Sequence, residues 1–479
     1  MGRRTKIIAT IGPACDTPEL MRKMIEAGMD IARLGLAHDD LERQLERYQV
    51  IRNASLEAGR PVGILADLPG PKVRSGSFPD GGVFLDEGER VRLVPADPGG
   101  GTSTHEVIEV GYEHLTSQLH VGDRLMVGDG SVVLEVVDKQ SDHLTAEVAH
   151  GGKVEGRPGV HIPSDRLTTA SPTKDDLRML DAFVEAGVDM IALSFVRSAH
   201  DVRRVGTEPH PRGPLVVAKI ETRAAVNNLD AIIEASGAIM VARGDLGAEC
   251  PLEDLPHLQK DIIRRCIALG RPAITATQML ESMVHAATPT RAEASDVANA
   301  VFDGSSVLML SGETAIGHDP INTVSTMARI AERADTEFDY EGWAPHLSHL
   351  TAVEGSDADT KVTDTMTMAA WRAATEIGAA AIICLSRTGF TVRTIARFRP
   401  QARILGFSPD ERTVRQLTMS WGCKPMLMAQ RGTNEQMTRD ALEAARDAGE
   451  IASGDVVAVL AGSDERSRAT DVLRLVRVP

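Results

Sequence analysis

VVAKIETRAAVNNLDAIIEASGAIMVARGDLG, residues 216–247, is the stretch from which the fold of this chain is predicted. Two apolar runs in and beside it, Leu215–Ile220 and Ala238–Ala242, have the length and composition of strands that are buried on both faces of a parallel sheet. The residues between the runs predict one short helix. A strand, a helix and a second strand in this order favour a parallel α/β fold.

Charged residues lie at the end of both runs. Lys219 and Glu221 end the first, and because residues two apart in a strand share a face, both side chains point the same way. Arg243 and Asp245 follow the second run. Since α/β proteins place their chemistry at the C-terminal ends of parallel strands, these residues are candidates for a functional site. An ordinary ion pair at a solvated strand end is the alternative.

The composition argues against several classes of protein. With 479 residues the chain is long enough for about two or three domains. Its net charge of −16 argues against nucleic acid or an acidic membrane as the main partner. Five scattered cysteines without a C-x-x-C pair are typical of a reducing compartment and indicate no structural zinc. No apolar run approaches the roughly 20 residues of a membrane helix, and Ile7–Ile11 is too short for a signal peptide core, so we expect a soluble, cytoplasmic protein.

The first 340 residues alternate strand-like and helix-like segments. Thr17-Pro18 predicts a helix start, Thr290 to Glu293 a capping box, and Thr173 to Asp176 an acidic version of that box. The strand-like runs are Ile7–Thr10, Ile31–Leu34, Val62–Ala66, Met190–Ser194, Leu215–Lys219, Ala238–Ala242, Ala273–Ala276 and Val307–Leu310. Eight such strand–helix units that close on themselves predict a (β/α)8 TIM barrel, which we assign to residues 1–74 and 169–340.

The third strand does not lead directly to its helix, because residues 75–168 intervene and differ from the barrel segments in composition and hydrophobic pattern. They are rich in Gly and Asp and contain alternating apolar stretches such as Val132–Val136, with a turn signal at Gly128-Asp129-Gly130. This pattern predicts a small β-barrel inserted between the strand and the helix. A domain at this position would sit over the active face and act as a lid.

Residues 335–360 are polar, with Gly, Pro and Ser, and predict a linker. The alternation then resumes, and we interpret residues 341–479 as a C-terminal open α/β domain. Ser408 to Glu411 and Thr433 to Gln436 are capping-box patterns that start two of its helices. Its strand-like runs are Ala381–Leu385, Ile404–Phe407, Met426–Met428, Val456–Leu460 and Leu473–Val476.

Polar residues follow most of the barrel strands. They are Arg33, Asp67, Lys72, Arg74, Lys219, Glu221, Asp245, Thr277, Gln278, Ser311 and Glu313. No Walker loop, G-x-G-x-x-G or H-E-x-x-H pattern occurs. Glu221 and Asp245 offer the hard oxygen ligands that Mg²⁺ or Mn²⁺ prefers, and the Arg and Lys side chains would surround an anion. Two carboxylates among four cations suit metal-assisted phosphoryl transfer; arginines that merely join loops are the alternative.

Several long segments resemble the pyruvate kinase family, in that family's order. They are TKIIATIGPA, DIARLGLAH, DLPGPKVRSG, AKIET, IMVARGDLGAE, ITATQMLESM, TRAEASDVANAVFDG and LMLSGETA. The resemblance covers nearly the whole chain, including the inserted segment and the C-terminal domain. It implies an enzyme of glycolysis that transfers the phosphoryl group of phosphoenolpyruvate to ADP, giving pyruvate and ATP, with Mg²⁺ or Mn²⁺ as cofactor.

The resemblance also implies roles on the phosphoryl side of the site. Glu221 and Asp245 would bind the divalent ion, and Lys219 would stabilise the transferring phosphoryl group and the enolate. Thr277 would lie on the proton path to the enolate carbon. Arg33 would hold the phosphoryl group.

Further residues are matched to the nucleotide and carboxylate sides. By the same resemblance, Arg74, His38 and Pro13 would lie near the nucleotide, with Arg74 also in a catalytic role. The backbone N–H groups of Arg243 and Gly244 would bind the substrate carboxylate at the start of a helix. For His38 taken alone, an ordinary surface or capping histidine would be the default.

The chain departs from the family at the potassium site, which most members build from Asn, Ser, Asp and Thr oxygens. The matching positions here are Gly35, Ala37, Asp67 and Leu68, so three of the four side-chain donors are missing. Lys72 stands where potassium-dependent members carry Glu and potassium-independent members carry Lys. Because an ammonium group supplies the same positive charge, we expect an enzyme that does not require K⁺. Drift at a degenerate site is the alternative.

Two further features concern the nucleotide and regulation. Pro158 takes the place of a family lysine that reaches the nucleotide phosphates, and Arg157 is a candidate substitute. The loop Ser386-Arg387-Thr388-Gly389-Phe390-Thr391 resembles the one that binds a phosphorylated metabolite effector in regulated members, although an ordinary strand–helix turn explains it equally well. The family also implies a homotetramer.

Two competing functions remain on the sequence alone. A barrel that has lost turnover and serves as a metabolite-binding regulator is suggested by the altered cation site, and argued against by the retained site residues. A mutase or carboxylase-type lyase that uses phosphoenolpyruvate is argued against by the inserted segment and the C-terminal domain.

Overall fold

The computed structural model describes residues 2–97, 101–128, 132–348, 358–429, 432–462 and 470–479. In these ranges, eight parallel strands close into a barrel in which each strand pairs with the next and the last pairs with the first. They are β1 (Lys6–Thr10), β2 (Ile31–Gly35), β3 (Gly63–Leu68), β12 (Met190–Leu193), β13 (Leu215–Ile220), β14 (Ala238–Ala242), β15 (Ala273–Ala276) and β16 (Val307–Leu310). The predicted barrel is therefore confirmed, with Asp67 inside β3 rather than after it.

The helices of the barrel begin at capped residues. Thr17 caps α1, and Thr173 and Thr290 each form the predicted capping box. The helices are α1 (Pro18–Ala27), α2 (Leu41–Glu57), α4 (Lys174–Glu185), α5 (Ala199–Arg203), α6 (Arg223–Asn227), α7 (Leu229–Ala235), α8 (Arg243–Glu249), α9 (Leu255–Ala268), α10 (Arg291–Asp303), α11 (Gly312–Ala315) and α12 (Pro320–Thr336), with 3₁₀ turns at Leu252–Asp254 and Glu281–Val284.

One short helix between β13 and β14 was expected, and this is wrong. Two helices, α6 and α7, meet at Asn228, which ends the first and precedes the second. The Asn228 side-chain amide donates to the carbonyl oxygens of Arg197 and Ala224, and this contact with the preceding loop holds the break between the helices.

The inserted segment has an apolar core of its own and a partly closed sheet. Its described elements are β4 (Val83–Leu85), β5 (Arg90–Pro95), β6 (Val107–Val110), α3 (Leu115–Gln118), β7 (Arg124–Val127), β8 (Val132–Lys139), β9 (Leu144–His150), β10 (Gly152–Val154) and β11 (Val160–His161). In the part of the chain that is described, six of these strands form one sheet in the order β11-β7-β8-β9-β5-β6, and β10 pairs with β4. The predicted turn at Gly128 to Gly130 lies partly outside the described residues.

The C-terminal domain is an open sheet flanked by helices. The elements are α13 (Tyr340–Ser348), α14 (Ala358–Ile377), β17 (Ala381–Leu385), α15 (Phe390–Ala396), β18 (Arg403–Ser408), α16 (Glu411–Gln416), a 3₁₀ turn at Leu417–Met419, β19 (Cys423–Leu427), α17 (Asn434–Asp447), β20 (Val456–Ala461) and β21 (Val472–Arg477). The strand order in the sheet is β19-β18-β17-β20-β21, and the strands are parallel except at the edge strand β21. Asp410, not Ser408, caps α16, whereas Thr433 caps α17 as predicted.

The predicted linker at residues 335–360 is also partly wrong, because α13 lies within it. Phe338 and Trp343 pack over the guanidinium of Arg399, about 60 residues further along the chain, and hold α13 against the C-terminal domain. Residues 349–357 of that segment lie outside the described part of the chain.

Among the described residues, no helix is both long enough and apolar enough to cross a lipid bilayer.

Candidate active site

A cavity of about 550 Å³ opens at the C-terminal ends of the barrel strands. Its walls come from strands distributed around the barrel, as the βα-loops of such barrels provide. Of the predicted site residues, Pro13, Arg33, His38, Asp67, Lys72, Lys219, Glu221, Asp245, Thr277 and Ser311 line it. The closed barrel thus brings together side chains that are up to about 300 positions apart in the sequence.

Lys219 is the centre of an ion-pair network in the floor of this cavity. Its Nζ lies 2.9 Å from Glu221 Oε1 and 3.3 Å from Asp67 Oδ1, and it donates to Ser194 Oγ at 2.8 Å. Asp67 also accepts from Arg33 Nε at 2.7 Å. Burial alone would lower the pKa of Lys219, but the two carboxylates outweigh it and hold that pKa above its ordinary value. Lys219 is therefore a fixed positive charge.

Glu221 is buried between this network and β12. One carboxylate oxygen faces Lys219, and the other accepts a hydrogen bond of 2.6 Å from the backbone N–H of Phe195. Burial raises the pKa of Glu221, Lys219 opposes the rise, and the charge of Asp245 adds to it. Two acidic groups that interact in this way gain from an additional cation between them.

Glu221 and Asp245 fit a divalent ion by the chemistry of their donors, since Mg²⁺ and Mn²⁺ bind hard carboxylate oxygens. Among the described residues, no group of three or more His, Cys, Asp or Glu side chains could hold a metal by itself. Substrate and water oxygens would therefore have to complete the coordination shell, which is the usual arrangement for Mg²⁺ at phosphate-transfer sites.

Thr277 lies in a backbone conformation that L-residues rarely adopt. Its φ is +69° and that of Gln278 is +52°. Arg243 holds this turn, because its guanidinium donates to the carbonyl oxygens of Ala276 and Thr277 and is fixed by Asp296 at 2.7 Å. The side chain of Arg243 thus stabilises the loop that follows β15.

The hydroxyl of Thr277 also contacts the start of α8. Its Oγ1 accepts a hydrogen bond of 2.9 Å from the backbone N–H of Gly244. The loop after β15 and the helix that carries Asp245 are therefore fixed to each other at the edge of the cavity.

Three cations surround His38. Burial lowers its pKa, and Arg74, Lys72 and Arg33 lower it further. Arg74 and Arg33 are both half-buried, and the guanidinium of Arg74 donates to the carbonyl oxygen of Arg157 in the inserted segment at 3.3 Å. Of the positive residues predicted to surround an anion, Arg33, Lys72 and Lys219 line the cavity, whereas Arg74 is near His38 but is not one of the lining residues.

The sequence interpretation missed a contact between the inserted segment and the barrel. Glu249 is the last residue of α8, and one of its carboxylate oxygens lies 2.9 Å from His161 Nε2. The carboxylate also accepts hydrogen bonds from the backbone N–H and the hydroxyl of Ser164. Burial raises the pKa of Glu249, but these contacts hold it below its ordinary value. The residue was not recognised because its partners in the inserted segment are more than 80 positions away and no local pattern marks it.

The predicted effector loop lies at the end of β17 in the C-terminal domain, far along the chain from the cavity residues. Gly389 precedes α15 with φ +74°, a conformation that favours glycine. Ser386 and Thr391 are buried, and Thr391 Oγ1 shares a hydrogen bond of 2.6 Å with Thr470. Thr391 is thus engaged within the domain.

Comparison with known proteins identifies the family. The family model described as "Pyruvate kinase, barrel domain" matches residues 2–324, and "Pyruvate kinase, alpha/beta domain" matches residues 364–476. The chain belongs to the pyruvate kinase family. A pyruvate kinase of Corynebacterium glutamicum is 39% identical over 97% of this chain and 95% of its own length. One from Clostridium acetobutylicum is 35% identical over 99% of both chains.

A third relative differs in length. The pyruvate kinase of Geobacillus stearothermophilus is 38% identical over 96% of this chain, which covers 78% of that relative. Family membership makes the chain a phosphotransferase, and pyruvate kinases generally use Mg²⁺.

Proposed function

We propose that this pyruvate kinase homologue transfers the phosphoryl group of phosphoenolpyruvate to ADP, giving pyruvate and ATP. The main support for this proposal is the position of Lys219, which is held as a fixed cation between two buried carboxylates in the floor of the strand-end cavity. A phosphoryl group in transfer carries negative charge, and preorganised positive groups in a partly water-excluded site stabilise it.

The other residues of the cavity support this reaction. Arg33 is oriented by Asp67 and by Thr10 Oγ1 at 3.0 Å, and its guanidinium is proposed to hold the phosphoryl group. Lys219 stabilises the enolate oxygen that forms when the P–O bond breaks. The N–H groups of Arg243 and Gly244 at the start of α8 are proposed to bind the substrate carboxylate, for which the Gly244 N–H would exchange its bond to Thr277 Oγ1.

A proton must then reach the enolate carbon to give pyruvate. Thr277 lines the cavity and is held by Arg243 and by the N–H of Gly244, so its hydroxyl is positioned to take part in that transfer. Mg²⁺ or Mn²⁺ bound by Glu221 and Asp245 would supply a Lewis acid that neutralises phosphate charge.

ADP is proposed to occupy the cationic side, near Pro13, His38 and Arg74. In this proposal the catalytic barrel comprises residues 1–74 and 169–340, the lid comprises residues 75–168, and the C-terminal domain comprises residues 341–479. The basic test is a lactate dehydrogenase-coupled assay with phosphoenolpyruvate, Mg²⁺ or Mn²⁺ and several nucleoside diphosphates. Absence of turnover would instead favour the alternative of a metabolite-binding regulator.

We also propose that the enzyme needs no K⁺. Gly35, Ala37 and Leu68 line the cavity but carry no side-chain oxygen, and Asp67 is already paired with Arg33 and Lys219. Lys72 lines the same cavity, with its charge close to His38. Its ammonium supplies the positive charge that K⁺ gives elsewhere.

The expected kinetic result is that replacing tetramethylammonium chloride with KCl changes kcat by no more than about twofold. Lys72→Met should lower kcat at least about 10-fold, and K⁺ should not restore it, because side-chain oxygens for a potassium cage are missing. Lys361→Met, an exposed lysine of α14, is the matched control. Strong K⁺ activation of the unmodified enzyme would contradict the proposal.

The contact of Glu249 with the inserted segment predicts a role in lid closure. Glu249→Gln removes the charge that binds Ser164 and His161, so we expect the KM for ADP to rise by about 10-fold, the scale of one charge-assisted contact. Steady-state kinetics at saturating phosphoenolpyruvate measures this, with Glu253→Gln on the neighbouring exposed turn as control. An unchanged KM would show that the contact does not act on the nucleotide.

The quaternary structure and regulation stay proposals. A homotetramer is expected from the family, and multi-angle light scattering on the purified protein tests it.

The loop Ser386 to Thr391 is proposed to bind a phosphorylated metabolite, with Arg387 and Thr388 as the more accessible contacts. Activation by sugar phosphates in the coupled assay tests this proposal.

A further inference from the structure

Four arginines gather where the barrel meets the C-terminal domain. Arg271 comes from the turn between α9 and β15, and Arg393, Arg397 and Arg399 come from α15 and the turn that follows it. The three from the C-terminal domain are buried, with no more than 7% of their surface exposed. Among the described residues, Asp364 is the single carboxylate that forms an ion pair with any of the four, at 3.1 Å from Arg397.

Such a group is electrostatically incomplete, because buried charges are ordinarily paired. Arg393 shows this best: its Nη2 donates to Thr388 O and to His210 Nε2, both neutral partners, and burial with the nearby Arg271 lowers its pKa to about 9. His210 is itself neutral, since burial lowers its pKa to about 3. A net positive charge is therefore left inside the domain junction.

The same residues carry unused hydrogen-bonding atoms. In the described part of the chain, Arg393 Nη1, Arg397 Nε, Ser420 Oγ and Trp421 Nε1 are buried without a hydrogen-bond partner. Three of these are N–H groups that can only donate, and the serine hydroxyl can donate too. Buried polar atoms in native proteins are normally satisfied, so orphaned donors on four residues of one domain junction indicate an acceptor.

All four residues line one small cavity, of about 20 Å³. A water molecule needs at least about 10–15 Å³ of such space, so there is room for one water or one monatomic ion. A water can accept only about two hydrogen bonds and brings no charge. A halide accepts from every donor and carries the negative charge that the arginines lack.

We propose that this cavity is a binding site for a single halide ion, chloride under ordinary conditions, held by Arg393, Arg397, Ser420 and Trp421. The ion joins the two domains, because its donors lie in the C-terminal domain while Gly270, Gly304 and Ser306 of the barrel close the cavity. It also supports the loop before α15, since Arg393 holds Thr388 O. This site is separate from the strand-end cavity and does not depend on the proposed reaction.

Crystals of the unmodified protein grown or soaked in bromide test the site directly. We expect an anomalous bromide peak inside the cavity bounded by Arg393, Arg397 and Trp421. A water in that position, or side chains that fill the space, would overturn the proposal.

Thermal unfolding in solution provides the second test. At matched ionic strength the melting temperature should be higher in sodium chloride than in sodium gluconate, and should rise by roughly 1–2 °C for each tenfold increase in chloride above the dissociation constant. Arg393→Met should abolish this chloride dependence whatever it does to basal stability, whereas Arg372→Met on the exposed face of α14 should retain it.

If Arg393→Met does not fold, Ser420→Ala provides a milder variant. It removes one hydrogen-bond donor and should weaken the dependence of the melting temperature on chloride. Equal melting temperatures of the unmodified protein in the two salts would overturn the proposal.

Discussion

Replacing Lys219 with methionine is expected to lower kcat by at least about 10³-fold, which corresponds to roughly 4 kcal/mol of transition-state stabilisation. The methionine keeps most of the volume and removes the charge that lies 2.9 Å from Glu221 and 3.3 Å from Asp67. Arg33 is already held by Asp67 and Thr10, so its guanidinium is not free to take the place of the lost ammonium group.

Steady-state kinetics with phosphoenolpyruvate and ADP measures this loss. Lys361→Met controls for the change of residue type at an exposed position, and its kcat should be that of the unmodified enzyme. Near-normal turnover of Lys219→Met would remove the lysine from the reaction.

The same substitution also changes the balance of charge in the core of the site. Asp67 keeps Arg33 as a partner, but Glu221 loses its ion pair and is left with the Phe195 N–H. Loss of one partner of a buried pair is destabilising, so the melting temperature should fall as well. Near-UV circular dichroism at the assay temperature separates lost catalysis from lost structure.

Glu221→Gln is expected to have the second largest effect, a fall of about 10²- to 10³-fold in kcat together with a weaker response to Mg²⁺. The amide keeps the shape of the side chain, and its oxygen can still accept from the N–H of Phe195. It loses the negative charge that a divalent ion needs and that holds Lys219.

The response to the metal is what makes this prediction specific. Titration with Mg²⁺ and Mn²⁺ should show half-maximal activity at a higher metal concentration, and direct Mn²⁺ binding in the presence of phosphoenolpyruvate should weaken. Glu443→Gln on the exposed face of α17 is the control. A variant with low kcat and an unchanged metal titration would assign Glu221 to orienting Lys219 rather than to the ion.

Much of the fold could be predicted from patterns formed by residues close together in the sequence. The apolar runs of β13 and β14 have the same bounds in the structure as in the sequence interpretation, and the threonine caps at Thr17, Thr173 and Thr290 start helices as predicted. These features depend on residues a few positions apart, so periodicity and capping chemistry are enough to find them.

What was wrong depended on contacts between distant segments. The break at Asn228 is held by the carbonyl of Arg197, and α13 is held by Arg399. Glu249 contacts the inserted segment through Ser164 and His161, which lie more than 80 positions away. The orphaned donors around Arg393 become visible only when the packed domain junction is known. In each case the local sequence is compatible with several structures, and the tertiary partner selects one.

The sequence by itself determined that apolar runs alternate with capped helices and end in polar side chains, because strand burial and helix capping are set by near neighbours. Only the tertiary structure decided how those ends meet. Closing the barrel places Arg33, Asp67 and Lys219, from three different strands, within ion-pair distance. The interaction energy of charges depends on their separation and burial, and neither quantity is written in the spacing of residues along the chain.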